Sequence, residues 1–230
     1  MSQKSVLALA FAVAATTGVA ASAATLDFTS ETVMGASPTI GLASPYMLPG
    51  TILGKGVELS ANRDITLTPY DGNAGDTGGL AEEIDGLGVV DVGGTPGNGG
   101  SNDEITFSDE FIKVTFIGGP VAITGLHFLD FFQIETALVT FSGGQSLMLD
   151  STAVLGNPIG NGGYGFYDVG FISASWVKFQ VGAIINDSQG VADYALAAID
   201  VAEVPLPAAA WMLLAGLGGL GVLARRRTAA

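Results

Sequence analysis

Side chains of metal-ligating type come closest to a known spacing in Asp71-Gly72-Asn73-Ala74-Gly75-Asp76, with Glu82 at the twelfth position. A helix-flanked calcium loop wants Asp or Asn at its fifth position and Gly at its sixth. Gly75 and Asp76 stand there instead, and no helical pattern flanks the stretch. A looser oxygen-ligand calcium site built from Asp71, Asn73, Asp76 and Glu82 or Glu83 is one expectation. An Asx-rich turn that satisfies its own backbone is the other. Calcium is the only cofactor the sequence brings into question.

The means for other chemistry are sparse. His127 is the single histidine and there is no cysteine, so multi-imidazole and thiolate metal sites and cysteine nucleophiles are excluded. A triad through His127 needs a serine in a G-x-S-x-G setting, which the chain does not have. Strand alternation makes His127 a rim or face residue. Gly216-Leu217-Gly218-Gly219-Leu220-Gly221 matches a dinucleotide-binding pattern but lies inside an apolar run without a βαβ unit, where glycines instead let helices approach closely in lipid. Acidic pairs for glycoside hydrolysis are available in number, and nothing in the spacing selects one.

The elements that must position these residues are strands. Val57, Leu59 and Ala61, Ile65 and Leu67, Ile112, Val114 and Phe116, and Val177, Phe179 and Val181 alternate with more polar neighbours. The runs 121–132, 136–141, 146–149 and 194–201 are also β-like, and 87–92 reads as one strand among long loops. Gly143-Gly144 predicts a hairpin and Gly118-Gly119-Pro120 a tight turn. Between Tyr70 and Asp103 glycine fills 11 of 34 positions, which favours loops over further core. A second Gly/Asn-rich loop, 156–165, is closed by Tyr164, Phe166 and Tyr167, rings that either cap the core or stack on a sugar. The fold class expected is an all-β antiparallel sandwich, jelly-roll-like, with a barrel as the alternative.

Both ends read as addresses. Lys4, the apolar run 6–15 and Ala21-Ser22-Ala23 make a secretory signal peptide over 1–23, with cleavage by signal peptidase before Ala24. An uncleaved N-terminal anchor is the competing possibility. At the other end, Val204-Pro205-Leu206-Pro207-Ala208 leads into an uncharged run of 17 residues, 208–224, and then Arg225-Arg226-Arg227 in the basic tail 225–230. At about 1.5 Å per residue that run covers about 26 Å, near the short limit for crossing a bilayer. The arginines orient it with the body outside.

This C-terminal segment, 205–230 with its motif starting at Val204, resembles the PEP-CTERM sorting signals in their V-P-L-P-A variant. The order of motif, apolar helix and basic end is the family's own. The resemblance implies that an exosortase-type transpeptidase takes Val204 to Ala208 as its substrate and cuts there. It also implies a surface protein that accompanies extracellular polysaccharide. Physics alone supports a plain membrane anchor.

The body, 24–204, carries 22 acidic against four basic side chains, a net charge of −18. Nucleic acid is therefore excluded as a partner, because phosphate binding needs clustered Lys and Arg. Two functions stand: a non-enzymatic, surface-sorted sandwich that binds extracellular polysaccharide, and an exported carbohydrate-active enzyme with an acidic cleft.

Overall fold

Where apolar and polar residues alternate, the backbone is extended and one side of it is dry. Ile112, Val114 and Phe116 are buried while Lys113 and Thr115 are only half-buried, as period-two geometry requires of a strand lying on a core. The computed structural model describes residues 22–30, 39–40, 45–62, 65–68, 86–89, 105, 110–129, 131, 135–151, 163–182, 194–204 and 216.

The described residues form two antiparallel sheets. The first runs β11 (Gly165–Ala174), β8 (Val121–Leu129), β13 (Ala195–Ala202), β6 (Gly86–Val89), β5 (Ile65–Thr68), β2 (Thr39–Ile40), with β1 (Ala23–Asp27) also on β13. The second runs β10 (Ser146–Asp150), β9 (Thr136–Phe141), β12 (Trp176–Val181), β7 (Ile112–Ile117), β4 (Lys55–Ala61), β3 (Tyr46–Ile52). One apolar core takes side chains from both sheets, among them Leu26, Ile65, Phe128 and Ile199 from the first and Val57, Val114, Val139 and Phe179 from the second. That shared core is the arrangement of a β-sandwich.

Five rings concentrate at one part of this core. Phe128 stands edge-on to Tyr194 at 5.2 Å, to Tyr167 at 5.8 Å and to Phe179 at 6.1 Å, and tilted to Phe131 at 5.4 Å. Such pairs add about 0.5–1.5 kcal/mol each beyond the area they bury. Tyr194 is wholly buried, and its hydroxyl donates to the Gln180 carbonyl at 2.8 Å.

The expected hairpin at Gly143-Gly144 joins β9 to β10, and the Gly118-Gly119 turn carries the chain from β7 in one sheet to β8 in the other. A further hairpin, β3 to β4, turns on Leu53 and Gly54, both with positive φ (50° and 72°), as a two-residue primed turn demands. The strand expected over 121–132 ends at Leu129, and that over 87–92 lies at Gly86–Val89. Strands β1, β3 and β11 have no counterpart in the alternation. Pro49 interrupts β3, and the register of β11 shifts between Asp168 and Ile172.

Ala23 pairs with Ala202, and the Glu203 amide donates to the Ser22 carbonyl at 3.0 Å. The start of β1 and the end of β13 therefore leave the sandwich side by side.

Candidate functional site

The outer face of the first sheet, opposite the core, carries a polar row assembled from four separate segments. Thr25 lies opposite Asp200, and Asp200 opposite Gly125, across β1, β13 and β8. His127 follows Gly125 on the same face of β8, and Phe166 on β11 is its cross-strand partner. The Thr25 hydroxyl donates to Asp200 Oδ1 at 2.6 Å, and Asp200 Oδ2 lies 3.0 Å from His127 Nε2. The other ring nitrogen, Nδ1, is 2.9 Å from the Tyr164 hydroxyl. With the proton on Nε2, His127 donates to Asp200 and accepts from the Tyr164 O–H, so a single tautomer satisfies both contacts.

Gly125 makes this possible. A Cβ there would lie 2.5 Å from Asp200 Oδ2 and 2.7 Å from a ring carbon of Phe166. The missing side chain is the space into which the carboxylate and the Phe166 ring lean. Phe166 stacks tilted on His127 with centroids 4.8 Å apart, and its other side is open to solvent. Phe171, further along β11, is also exposed. The His127 side chain is 8% exposed and that of Asp200 29%, so solvent reaches the row through its acid and its phenylalanine.

Chemically, the Asp200–His127 pair orients an imidazole as a general base is oriented, but the group at the far nitrogen is a phenol and not a serine. The exposed surface combines an aromatic face with a hydrogen-bonding carboxylate, which suits a polar ligand that has one apolar side.

A second concavity, an open cleft of about 390 Å³, lies between β1 and the β3–β4 hairpin and is walled by Ala24, Leu26, Leu48, Ile52, Leu53 and Val57. Asp27 at its edge accepts from the Thr29 amide (2.9 Å) and hydroxyl (2.6 Å). The cleft is apolar and brings no acid–base pair together.

His127 lies on a sheet face, as strand alternation predicts, although it is buried. Its partners were not foreseen. The one available signal is that Asp200 is the only charged residue in the run from Tyr194 to Val201. The three rings after the glycine-rich loop divide: Tyr167 caps the core, donating from its hydroxyl to the Asp150 carbonyl at 2.6 Å, while Tyr164 and Phe166 belong to the outer face. Burial and the Asp150 carboxyl push the Tyr167 phenol up to about 12.

Asp71, Asn73, Asp76, Glu82 and Glu83 lie outside the described residues, as do Ala21, Pro205, Leu206, Pro207, Ala208 and Arg225 to Arg227. Ala23 and Ala24 are in β1, and Val204 is exposed after β13. Among the described residues no three groups of metal-ligating type converge, and no helix is long and apolar enough to cross a membrane. Apart from Gly216, the run 208–224 is not described.

No protein-family model and no curated protein sequence matches the chain. Among solved structures, CpGH89CBM32-5 from Clostridium perfringens, in complex with GalNAc-beta-1,3-galactose, aligns at 15% identity over 64% of this chain and 95% of its own, with a TM-score of 0.27. A likeness at that score carries no argument for fold or function.

Proposed function

We propose that the chain is an exported, non-enzymatic, jelly-roll-like β-sandwich, sorted to the surface through its C-terminal tail, that holds extracellular polysaccharide on the outer face of its first sheet. The observation that carries the binding role is the exposed Phe166 ring seated on His127 beside the half-open Asp200 carboxylate. A pyranose presents an apolar face to a ring and hydroxyls to a carboxylate, so this surface matches it in both respects.

What supports the export and sorting role is the pairing of Ala24, the expected first mature residue, with Val201 near the end of β13. The folded strands begin and end within a few residues of the two expected processing sites, so signal peptidase and an exosortase-type transpeptidase would both act beside the same end of the sandwich. The membrane helix 208–224 and the arginines would hold the chain until the second cut.

The reading as a carbohydrate-active enzyme has one specific observation in its favour, the chain of contacts Asp200–His127–Tyr164. Incubating the surface protein with an array of neutral and acidic glycans, scored both for retention and for chain shortening, separates the two. Retention without shortening, lost in Phe166→Ala, is the expected result. Shortening that disappears in His127→Ala would establish the enzyme instead.

A further inference from the structure

Charge is divided unequally between the two sheets. The three lysines among the described residues, Lys55, Lys113 and Lys178, lie on β4, β7 and β12 of the second sheet. The strands of the first sheet hold Asp27, Asp168 and Asp200 and no lysine or arginine. That sheet is therefore of one sign, in a body with 22 acidic and four basic side chains.

Two of its acids flank one glycine. Asp168 on β11 and Asp200 on β13 are both cross-strand partners of Gly125 on β8, one from each side. Their Cα atoms are two strand spacings apart, about 10 Å, and Gly125 leaves the floor between them without a side chain. Phe166 fills part of the gap. Its ring reaches to within 2.7 Å of the place a Gly125 Cβ would take, so it leans off its own strand and lies between the two acids. His127 covers part of the ring, and 46% of Phe166 stays exposed.

The donors to these carboxylates are neutral. Asp200 takes the Thr25 hydroxyl and, in the tautomer that satisfies both ring contacts, the His127 Nε2–H. Asp168 Oδ1 takes the Gly170 amide at 2.8 Å, where the register of β11 shifts. Among the described residues the second Asp168 oxygen has no partner. These bonds hold the acids in place and leave their charge uncompensated. The arrangement does not suit a metal ion, since among the described residues no three groups of metal-ligating type converge.

We propose that the ligand of this face is a cationic amino-sugar polymer, a polysaccharide with free ammonium groups on its pyranoses. The inference rests on the polysaccharide reading above and narrows it. An ammonium is attracted both to a carboxylate and to the face of an aromatic ring, and a pyranose lays its apolar side on the same ring. Two acids about 10 Å apart are met by a chain with repeated amines and not by one small cation. A polymer bearing carboxylates is repelled by this face and by the field of the whole body.

The test titrates the full-length chain in non-ionic detergent with an oligomer of β-1,4-linked glucosamine, at a pH that keeps its amines protonated. The N-acetylated oligomer is the neutral control on the same backbone. About tenfold tighter binding of the free-amine oligomer is expected, the gap closing from about 50 mM to about 500 mM salt. Asp168→Asn, whose amide oxygen still accepts from Gly170, should melt as the wild type does and lose about threefold or more of the free-amine binding. Glu58→Gln, which removes one acid from the second sheet, should leave both oligomers bound as before. Equal binding of the two oligomers, or equal weakening by Asp168→Asn and Glu58→Gln, would overturn the proposal. An oligolysine bound as tightly, weakened by Asp168→Asn and not by Phe166→Ala, would overturn it in favour of a basic peptide. The polysaccharide reading survives these results wherever the N-acetylated oligomer or another neutral glycan binds and Phe166→Ala removes it. That reading fails, and this one with it, when no glycan of any charge is retained.

Discussion

His127 reaches Asp200 across the β8–β13 ladder, Nε2 to Oδ2 at 3.0 Å, and the contact spans 73 positions of sequence. Asp200 in turn receives the Thr25 hydroxyl from β1, so the three strands at the centre of the first sheet are tied on their outer side by one carboxylate. Asp200→Ala removes the acceptor for a buried imidazole N–H. The expected cost is about 1–3 kcal/mol of stability. Denaturant unfolding of the wild type and the variant measures it, and a difference below about 0.5 kcal/mol would mean that the network is incidental.

Gly125→Ala tests the same network from the other side. The added Cβ meets Asp200 and Phe166 at distances real Cβ atoms do not tolerate, so the acid and the ring must move. A loss of about 1–3 kcal/mol is expected from overpacking, together with loss of glycan retention on the first sheet. Retention equal to that of the wild type would detach Phe166 from binding.

The tyrosines supply a pH dependence. Burial and then the Asp150 carboxyl raise the Tyr167 phenol to about 12, from about 10 in the unfolded chain. A raised phenol contributes stability that is fully present below pH 10 and fades as the pH climbs towards 12, because the unfolded chain gives up the proton first. Tyr194, fully buried, acts in the same sense. Tyr167→Phe should therefore flatten, without abolishing, the fall in melting temperature between pH 10 and pH 12. An unchanged alkaline profile would contradict it.

Calcium has a test that does not need the geometry of its loop. If Asp71, Asn73, Asp76 and Glu82 ligate the ion, millimolar calcium raises the melting temperature by linkage, and Asp76→Ala removes the increment. No change in the wild type would leave an Asx-rich turn.

The strands that lie on the core from one side were legible because their alternation is imposed by burial. Ile112 to Phe116 and Val177 to Val181 are examples, dry on one face and wet on the other. Strand β13 was legible as a continuous apolar run, since Ala195 to Ile199 are buried on both faces. Strands β3 and β11 were not, because Pro49 and the shift after Asp168 break the period that makes a strand visible. The site was harder still. His127, Asp200, Thr25 and Tyr164 come from distant parts of the chain, and only strand pairing, which no local pattern encodes, brings them together. Lys113 and Lys178 were hidden as neighbours for the same reason: each reads alone as the polar half of an alternation, and the register of β7 and β12 sets them opposite each other.

The central claim, a sandwich released from its membrane helix and retained by extracellular polysaccharide, is tested most directly by intact-mass spectrometry of the protein recovered from the polysaccharide fraction. The predicted mass is that of a chain starting at Ala24 and ending between Val204 and Ala208. A protein found only with the membranes, its mass still including Trp211 to Ala224, would contradict it.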